Sequence, residues 1–374
     1  MPNQAFRNNP APPCSSCAEC VFLRDCGGLD GPDYSKGCFQ RCDLYCKLNP
    51  CDCLCPCTPI GFDEAWDDVG GICTPPSICV TPRTARKLPY YVPNIHHAGN
   101  RRHVLSERVV AIPLAAIIRK NRRGLEIAFE THDELCFTLK LARSTQVLLS
   151  CIAPDQLIED FWRDHQLKNL LQQVSKLNLL GMTVPNYSFM LDTPRVNSLY
   201  SLSRIFRLVD RMGDAGVPTV PHINASTISD WGKWEQIMKT LPQIHYVAFE
   251  FQTGLRDDAR RTKFLKNLGQ MMQSLGRKIH PIVFGGTGRI QELKALFEDF
   301  TVVDSTPFMK TVHRFNLFQS AKLRPRWRLF QGPATECLSQ RLAANIFHHR
   351  QFIYSRANLH DVSHLRDEQL ELVA

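Results

Sequence analysis

The sequence predicts an α/β fold, specifically a (β/α)8 TIM-like barrel with an N-terminal Cys-rich metal-binding module. Three observations predict it: the length, the alternation of apolar runs in the later part of the chain, and the placement of the cysteines. The chain has 374 residues, 44% hydrophobic and 22% charged, which is enough to bury one large α/β domain or two smaller ones. Short apolar runs alternate with segments of 3.6-residue periodicity from residue 109 onwards, and repeated βα units imply a parallel sheet.

The elements are predicted in chain order from this pattern. A β-branched apolar run over residues 109–118 predicts a strand, and residues 125–139 predict a strand pair. Further strands are predicted over residues 145–152, 181–189, 217–222, 244–251, 278–284 and 300–303. Helices are predicted over residues 154–177, 195–212, 230–241, 257–275 and 289–297, and from residue 307. No G-x-G-x-x-G motif follows an early strand, which favours a barrel over a doubly wound dinucleotide-binding sheet.

Composition divides the chain into five segments. They are a polar tail (1–13), the Cys-rich module (14–80), a linker (81–104), the barrel (105–330) and a C-terminal helical segment (331–374). No apolar run is long enough to span a membrane, and the N-terminus has no basic-then-apolar signal pattern. These observations predict a cytoplasmic protein.

Thirteen of the 16 cysteines lie within the first 79 residues. Their close spacing favours metal over a disulfide framework, because a reducing compartment disfavours disulfides. Structural zinc at more than one site is the prediction, and an iron–sulfur cluster is the alternative that the same thiolates allow. The predicted metal ligands are Cys14, Cys17, Cys20, Cys26, Cys38, Cys42, Cys46, Cys51, Cys53, Cys55 and Cys57.

Charge follows the same division. Residues 1–80 hold 5 Lys/Arg and 10 Asp/Glu, a net −5, so the remaining 40 and 26 give residues 81–374 a net +14. Basic clusters of this kind favour nucleic acid as partner, although a solvated surface is the alternative reading of any single cluster. The candidate nucleic-acid-binding residues are Arg101, Arg102, Arg119, Arg122, Arg123, Arg195, Lys310, Arg324, Arg326, Trp327 and Arg328.

Polar side chains follow the predicted strands at successive carboxyl ends, where the chemistry of a parallel barrel lies. Three carboxylates would face one opening: Asp304, Asp192 and Glu250. Such groups can divide the roles of nucleophile and general acid. Helix N-capping is the alternative for both aspartates. The Gly285-Gly286 pair would let a flat ligand approach the backbone, or would serve as an ordinary turn.

The sequence resembles the tRNA-guanine transglycosylase barrel over roughly residues 145–320. That family has a Gly-rich strand end, a helix, and a strand ending in a nucleophilic aspartate, as in Phe284-Gly285-Gly286-Thr287 followed by Val303-Asp304-Ser305. Its second catalytic aspartate resembles Asp192, and its base-holding turn resembles Gln252-Thr253-Gly254. Two features depart from the family: its Asp-Ser-Gly-Gly motif reads Asp192-Thr193-Pro194-Arg195 here, and its zinc motif is C-terminal.

The block over residues 185–310 also resembles an uncharacterised bacterial and phage domain family that has an N-terminal cysteine region. Such barrels overlap with DNA-directed relatives of the transglycosylases, which occur with DNA modification and phage defence. The resemblance implies that several strand-end residues stack on or hydrogen-bond a base. These residues are Tyr187, Asn186, His222, Asn224, Gln252, Gly285 and Gly286.

The resemblances imply a DNA glycosylase that removes a base, expected to be a modified one, and leaves an abasic site, with a place in anti-phage defence. Asp304 would attack or stabilise C1′, and Asp192 would protonate the base or activate water, with Glu250 in reserve. The expected partner is DNA, phage DNA with modified bases included, with tRNA second. The alternatives are a base-exchanging transglycosylase on DNA or tRNA, a nucleoside or sugar hydrolase, and a non-enzymatic nucleic-acid-binding adaptor.

Overall fold

A computed structural model describes residues 59–82, 87–189, 195–251, 255, 257–318, 326–330, 332 and 337–358. These residues form a mixed α/β fold with parallel-strand sheets. The strands are β1 Tyr91–Pro93, β2 Val109–Pro113, β3 Ile118–Asn121, β4 Gly124–Ile127, β5 Gln146–Ser150, β6 Gly181–Thr183, β7 Thr219–Val220, β8 Tyr246–Glu250, β9 His280–Phe284, β10 Thr301–Asp304, β11 Phe315–Phe318 and β12 Arg326–Leu329.

The helices lie between and after the strands. They are α1 Pro59–Asp68, α2 His132–Leu139, α3 Asp155–Leu167, α4 Leu170–Ser175, α5 Arg195–Asp214, α6 Ile228–Thr240, α7 Asp258–Leu275, α8 Ile290–Leu296, α9 Thr306–Val312 and α10 Ser339–Arg356. Short 3-10 turns cover Leu114–Ala116 and Thr287–Arg289. In the part of the chain that the structure describes, no helix has the length and apolar character to cross a membrane.

The central strands form two parallel sheets within the described ranges. Their orders are β1-β10-β9-β8 and β2-β5-β6-β7. Isolated parallel bridges join Asn94 to Ala111 and His222 to Ala248. Antiparallel pairs β3–β4 and β11–β12 form separate hairpins. Each parallel strand therefore leads through a crossover to the next, as βα units require.

Two apolar clusters cover the two faces of the central strands. The smaller cluster includes Val92, Ala248, Ile282 and Val303, and we call the face that carries it the inner face. The larger cluster combines the alternate strand residues, such as Val302 and Phe249, with the helices, and we call that face the outer face. Because successive strand residues point to opposite faces, the register assigns each strand-end side chain to one of them.

Local sequence explains where the helices begin. The hydroxyl of Thr227 accepts a hydrogen bond from the backbone N–H of Asp230, and the two residues form a capping box at α6. Asp257 caps α7, and Gly276 ends it at φ +60°. Thr131 caps α2 by accepting from the N–H of Glu134.

The strands and helices predicted from residue 145 onwards are confirmed in type and order, and all of these strands except β10 are shorter than predicted. The prediction of a strand pair over 125–139 is wrong in its second half, where α2 forms behind the Thr131 cap. The helix predicted over 154–177 breaks into α3 and α4 because Asn169 takes a left-handed conformation at φ +50°. Residues 91–93, within the predicted linker, form β1 and pair with β10.

Candidate active site

A chain of hydrogen bonds joins polar side chains from three neighbouring strand ends. Glu250 is the last residue of β8, and its carboxylate accepts a hydrogen bond from the side-chain amide of Asn186, which follows β6. The carbonyl oxygen of Asn186 in turn accepts from Nδ2 of Asn224 at 2.7 Å. Asn224 follows β7, so three successive strands contribute to this Glu250–Asn186–Asn224 chain.

The amide of Asn224 is fixed in one orientation. Its Nδ2 donates both to Asn186 Oδ1 and to the backbone oxygen of Tyr187, at 2.9 Å for the second contact. The indole N–H of Trp234 holds the backbone of Asn224 by donating to its carbonyl oxygen at 2.9 Å. Because both donor contacts face the protein, the side-chain oxygen of Asn224 is the group available as an acceptor at this half-buried position.

Glu250 lies on the inner face. It pairs with Phe284 across β8 and β9, and Phe284 belongs to the smaller apolar cluster. The side chain is 7% exposed. A carboxylate at such a position is costly unless hydrogen bonds hold it, and the Asn186 amide supplies one of them.

His222 lies below Glu250 on the same inner face. It bridges to Ala248, two residues before Glu250 on β8, and is 0% exposed. Neither ring nitrogen has a hydrogen-bond partner among the described residues. Burial lowers the pKa of the imidazole to about 3, so the ring is neutral at pH 7. Because the ring is covered, it cannot contact a base where the structure places it, which corrects the base-binding role predicted for His222.

Asp304 ends β10 but lies on the outer face. Its neighbour Val303 pairs with Phe284, which in turn pairs with Glu250, so these three residues share the inner face and Asp304 does not. The expectation that Asp304 and Glu250 face one opening is therefore corrected: they are one register position apart and point to opposite faces. The structure does not bring these carboxylates together around one reacting atom.

Hydrogen bonds occupy both oxygens of Asp304. Oδ2 contacts Nε2 of His349 at 3.0 Å, and Oδ1 accepts from the backbone N–H and hydroxyl of Thr306 at 2.9 and 2.8 Å. Burial raises the pKa of this carboxyl, but the contacts from His349 and Thr306 outweigh burial and leave the pKa below its ordinary value. Asp304 precedes the N-cap residue of α9, which is Ser305, so it is not itself the cap that the sequence offered as the alternative.

Sequence reasoning missed His349, the partner of Asp304. It lies on α10, 45 residues further along the chain, and its ring contacts Tyr91 with centroids 5.3 Å apart. The adjacent His348-His349-Arg350 triplet marks this helix as unusual, but no local pattern links it to a strand end. The phenol oxygen of Tyr91 and Nδ1 of His349 are both buried without a hydrogen-bond partner in the described ranges.

Tyr187 cannot stack on a base where the structure places it. The ring is 1% exposed, the guanidinium of Arg204 lies 3.9 Å from its centroid, and Trp162 packs edge-on. Its contribution to the site is the backbone oxygen that holds Asn224. The prediction of a base-binding role for the Tyr187 side chain is thus corrected.

Gly285 and Gly286 turn the chain after β9 with φ of +77° and +79°. A Cβ at Gly286 would overlap the ring of Phe251. The pair is therefore required by backbone geometry and by the close approach of Phe251, and the predicted contact with a base stays a prediction.

The predicted nucleic-acid-binding cations divide into buried and exposed groups. Arg101 is 5% exposed and donates to the backbone oxygens of His97 and Leu139. Arg195 is 3% exposed and forms an ion pair with Asp230. These two arginines hold the fold, which corrects their predicted role.

The other described candidates reach the surface. Lys310 and Trp327 are half-buried, and the ammonium of Lys310 lies 4.8 Å from the ring centroid of Phe315. The exposed arginines are Arg102, Arg119, Arg122, Arg123, Arg326 and Arg328.

Several predicted residues lie outside the described residues, and their roles stay predictions. They are Asp192, Gln252, Arg324 and the cysteines Cys14, Cys17, Cys20, Cys26, Cys38, Cys42, Cys46, Cys51, Cys53, Cys55 and Cys57. Two further module cysteines are described. Cys73 and Cys79 are buried, and burial raises the pKa of their thiols to about 11 and about 12, as for core residues. Within the described ranges no cluster of three or more metal-ligating side chains occurs.

Comparison with protein-family models and with curated proteins finds no match to this chain. The resemblance to the transglycosylase barrel therefore stays a prediction that its motifs carry.

Proposed function

We propose that the protein is a DNA glycosylase, and that Glu250 is the carboxylate that carries the reaction at the carboxyl-end opening of a (β/α)8 barrel. The observation that carries the proposal is the Glu250–Asn186–Asn224 chain, because it fixes a buried carboxylate beside half-exposed amides. A held carboxylate next to hydrogen-bonding amides suits a reaction in which positive charge develops on a sugar that carries a base.

Strand neighbours support the barrel. The two parallel sheets, linked by the Asn94–Ala111 and His222–Ala248 bridges, give each of the eight parallel strands in the described ranges a neighbour on both sides. A closed ring of eight parallel strands with helices outside is the arrangement of a (β/α)8 barrel. The inner face would then be the barrel interior, with Glu250 at its carboxyl-end mouth.

The reaction we propose is hydrolysis of the N-glycosidic bond. The C1′–N bond breaks and its electron pair leaves with the base, while the developing positive charge on C1′ faces the Glu250 carboxylate. A water molecule adds to C1′ and gives one proton to Glu250, and the departing base takes up a proton. The products are the free base and an abasic site. Asp192 stays the predicted donor of the proton to the base.

The neighbouring polar groups fit recognition of an extruded base. A base must leave the stack to reach a barrel mouth. Asn224 offers its side-chain oxygen at the mouth, whereas His222, at 0% exposure, is covered by the inner face. Exposed arginines of the β3–β4 and β11–β12 hairpins would hold phosphates.

The experiment is mass spectrometry of bases released from modified and unmodified DNA, with a parallel assay for abasic sites. We expect a released base and an equal amount of abasic sites with the wild-type chain. Release without abasic sites, together with incorporation of an added free base, would indicate base exchange instead. No release from any DNA or tRNA would overturn the proposal.

A further inference from the structure

The β11–β12 hairpin presents two different faces. Leu317 and Trp327 pair across the strands, and Leu317 is 6% exposed with its N–H donated to Asn345 on α10. The ring of Trp327 lies near His349 of the same helix, with centroids 6.4 Å apart. The face that carries the tryptophan therefore packs against α10.

The opposite face of the hairpin is cationic and aromatic. Side-chain alternation places Phe318, Arg326 and Arg328 on it, since Phe318 pairs with Arg326 and Asn316 pairs with Arg328. Phe318 is 45% exposed, and the guanidinium of Arg328 lies 4.9 Å from its ring centroid. The described residues form no ion pair with Arg326 or Arg328.

The hairpin lies near the carboxyl end of β10. Trp327 contacts His349, and His349 binds Asp304, the last residue of β10.

The β3–β4 hairpin differs, because its exposed cations Arg119, Arg122 and Arg123 have no aromatic residue among them. The two hairpins therefore offer different chemistry to a nucleic acid: charge alone on β3–β4, and charge with a stacking surface on β11–β12.

We infer that the Phe318–Arg326–Arg328 face binds the unpaired nucleotides of a single-stranded segment, with Phe318 stacking on a base and the two arginines contacting phosphates. An exposed aromatic ring between unpaired cations is the combination that binds single strands, since every base has a π-face and every nucleotide a charge. Phe318, rather than the half-buried Trp327, supplies the aromatic ring of this surface. The inference rests on the proposed function, because it names the form of nucleic acid that reaches the same site.

The test is fluorescence anisotropy of the full chain with a labelled mixed-sequence DNA single strand, the matching duplex and an RNA strand. We expect Phe318→Ala to weaken single-strand binding about five- to a hundred-fold while duplex binding changes little. Phe318→Trp should restore it. Leu329→Ala, which removes a 62%-exposed apolar side chain from the other face of the same hairpin, is the matched control and should bind as the wild type does.

The arginine variants should change the salt dependence of binding. Arg326→Ala or Arg328→Ala should each reduce the slope of log affinity against log salt by about 0.7 for single strands, and Phe318→Ala should leave that slope unchanged. Equal single-strand affinity of Phe318→Ala and wild type, or the same loss on duplex and single strand, overturns the inference. Base release is measured separately: if wild type releases no base but Phe318→Ala loses single-strand binding, the inference stands and the glycosylase proposal fails.

Discussion

At the scale of single residues, side-chain alternation decides which carboxylate lies on the inner face. Glu250 and Asp304 both end buried strands and both follow apolar runs, so the sequence treats them alike. The register separates them, because Glu250 aligns with Phe284 and Val303 whereas Asp304 is one position further. A one-residue step moves a side chain to the other face of a sheet.

Asp304 stabilises the fold most at neutral pH. Its pKa is lowered in the folded chain, so its contribution is fully present above the ordinary carboxyl pKa and is lost as the pH falls through the folded value. We expect Asp304→Asn to lower the free energy of unfolding at pH 7 and to flatten its decline below about pH 5. Urea unfolding over a pH series measures both. Asp214→Asn, an exposed change at the end of α5, should retain the wild-type profile.

Substitution of Gly286 tests the role of the turn that follows β9. Alanine at this position would hold a strained φ of +79° and would press on Phe251, so we expect a loss of about 1–3 kcal/mol in the free energy of unfolding. Chemical denaturation measures it. Gly288→Ala is the control, because its Cβ would meet no atom within 4 Å. Equal stability of the two variants would contradict the assigned role of the turn.

At the scale of elements, α10 completes the carboxyl end of β10 and supports the β11–β12 hairpin. His349 binds Asp304, while Asn345 donates to Thr311 Oγ1 and to the backbone oxygen of Phe315 and accepts from the N–H of Leu317. Composition alone places this helix in a separate C-terminal segment over residues 331–374. Its hydrogen bonds cross from residue 345 back to residues 311–317, a connection that helical periodicity does not encode.

Asn345→Ala should loosen the hairpin. The change leaves the buried N–H of Leu317 and the partly buried carbonyl of Phe315 without the Asn345 side chain, which costs about 1–3 kcal/mol. We expect faster hydrogen exchange at the Leu317 amide and lower thermal stability. Gln340→Ala, at an exposed position of the same helix, should change neither. If the Leu317 amide of Asn345→Ala exchanged as slowly as in the wild type, α10 would not stabilise the hairpin.

The order of elements could be predicted from the sequence, but the site could be predicted only in part. Short apolar runs and helical periodicity identify β5 to β10 because these patterns are local. The composition of the strand ends likewise identifies Glu250, Asn186 and Asn224. The burial of Tyr187 under Arg204 and the pairing of Arg195 with Asp230 depend on contacts between distant segments, so charge and residue type alone misassigned them.

At the scale of the whole molecule, only part of the positive charge lies on the surface where a nucleic acid could contact it. Residues 81–374 hold 40 Lys/Arg against 26 Asp/Glu. Of these cations, Arg101 and Arg195 are buried within the fold. The exposed arginines of the two hairpins extend from the chain after β2 and after β10. The effective cationic surface is therefore smaller and more localised than the net charge of +14 over residues 81–374 implies.

Salt dependence of DNA binding measures this surface. We expect Arg122→Ala to reduce the slope of log affinity against log salt by about 0.9 on duplex DNA, the value for one lost phosphate contact. Lys278→Ala is the matched control, since Lys278 is 80% exposed but precedes β9 at the amino end of the strands. If Arg122→Ala and Lys278→Ala had the same slope of log affinity against log salt, the β3–β4 hairpin would not contact the DNA phosphates.

Single-turnover base release by Glu250→Gln and Asp304→Asn separates the roles of the two carboxylates. Glutamine keeps an oxygen for the Asn186 amide but cannot accept a proton, so release should fall by about 10²- to 10⁴-fold while the fold is retained. Asp304→Asn, once folded, should release base at close to the wild-type rate because its side chain faces α10. Wild-type release by Glu250→Gln, or loss confined to Asp304→Asn, would contradict the account.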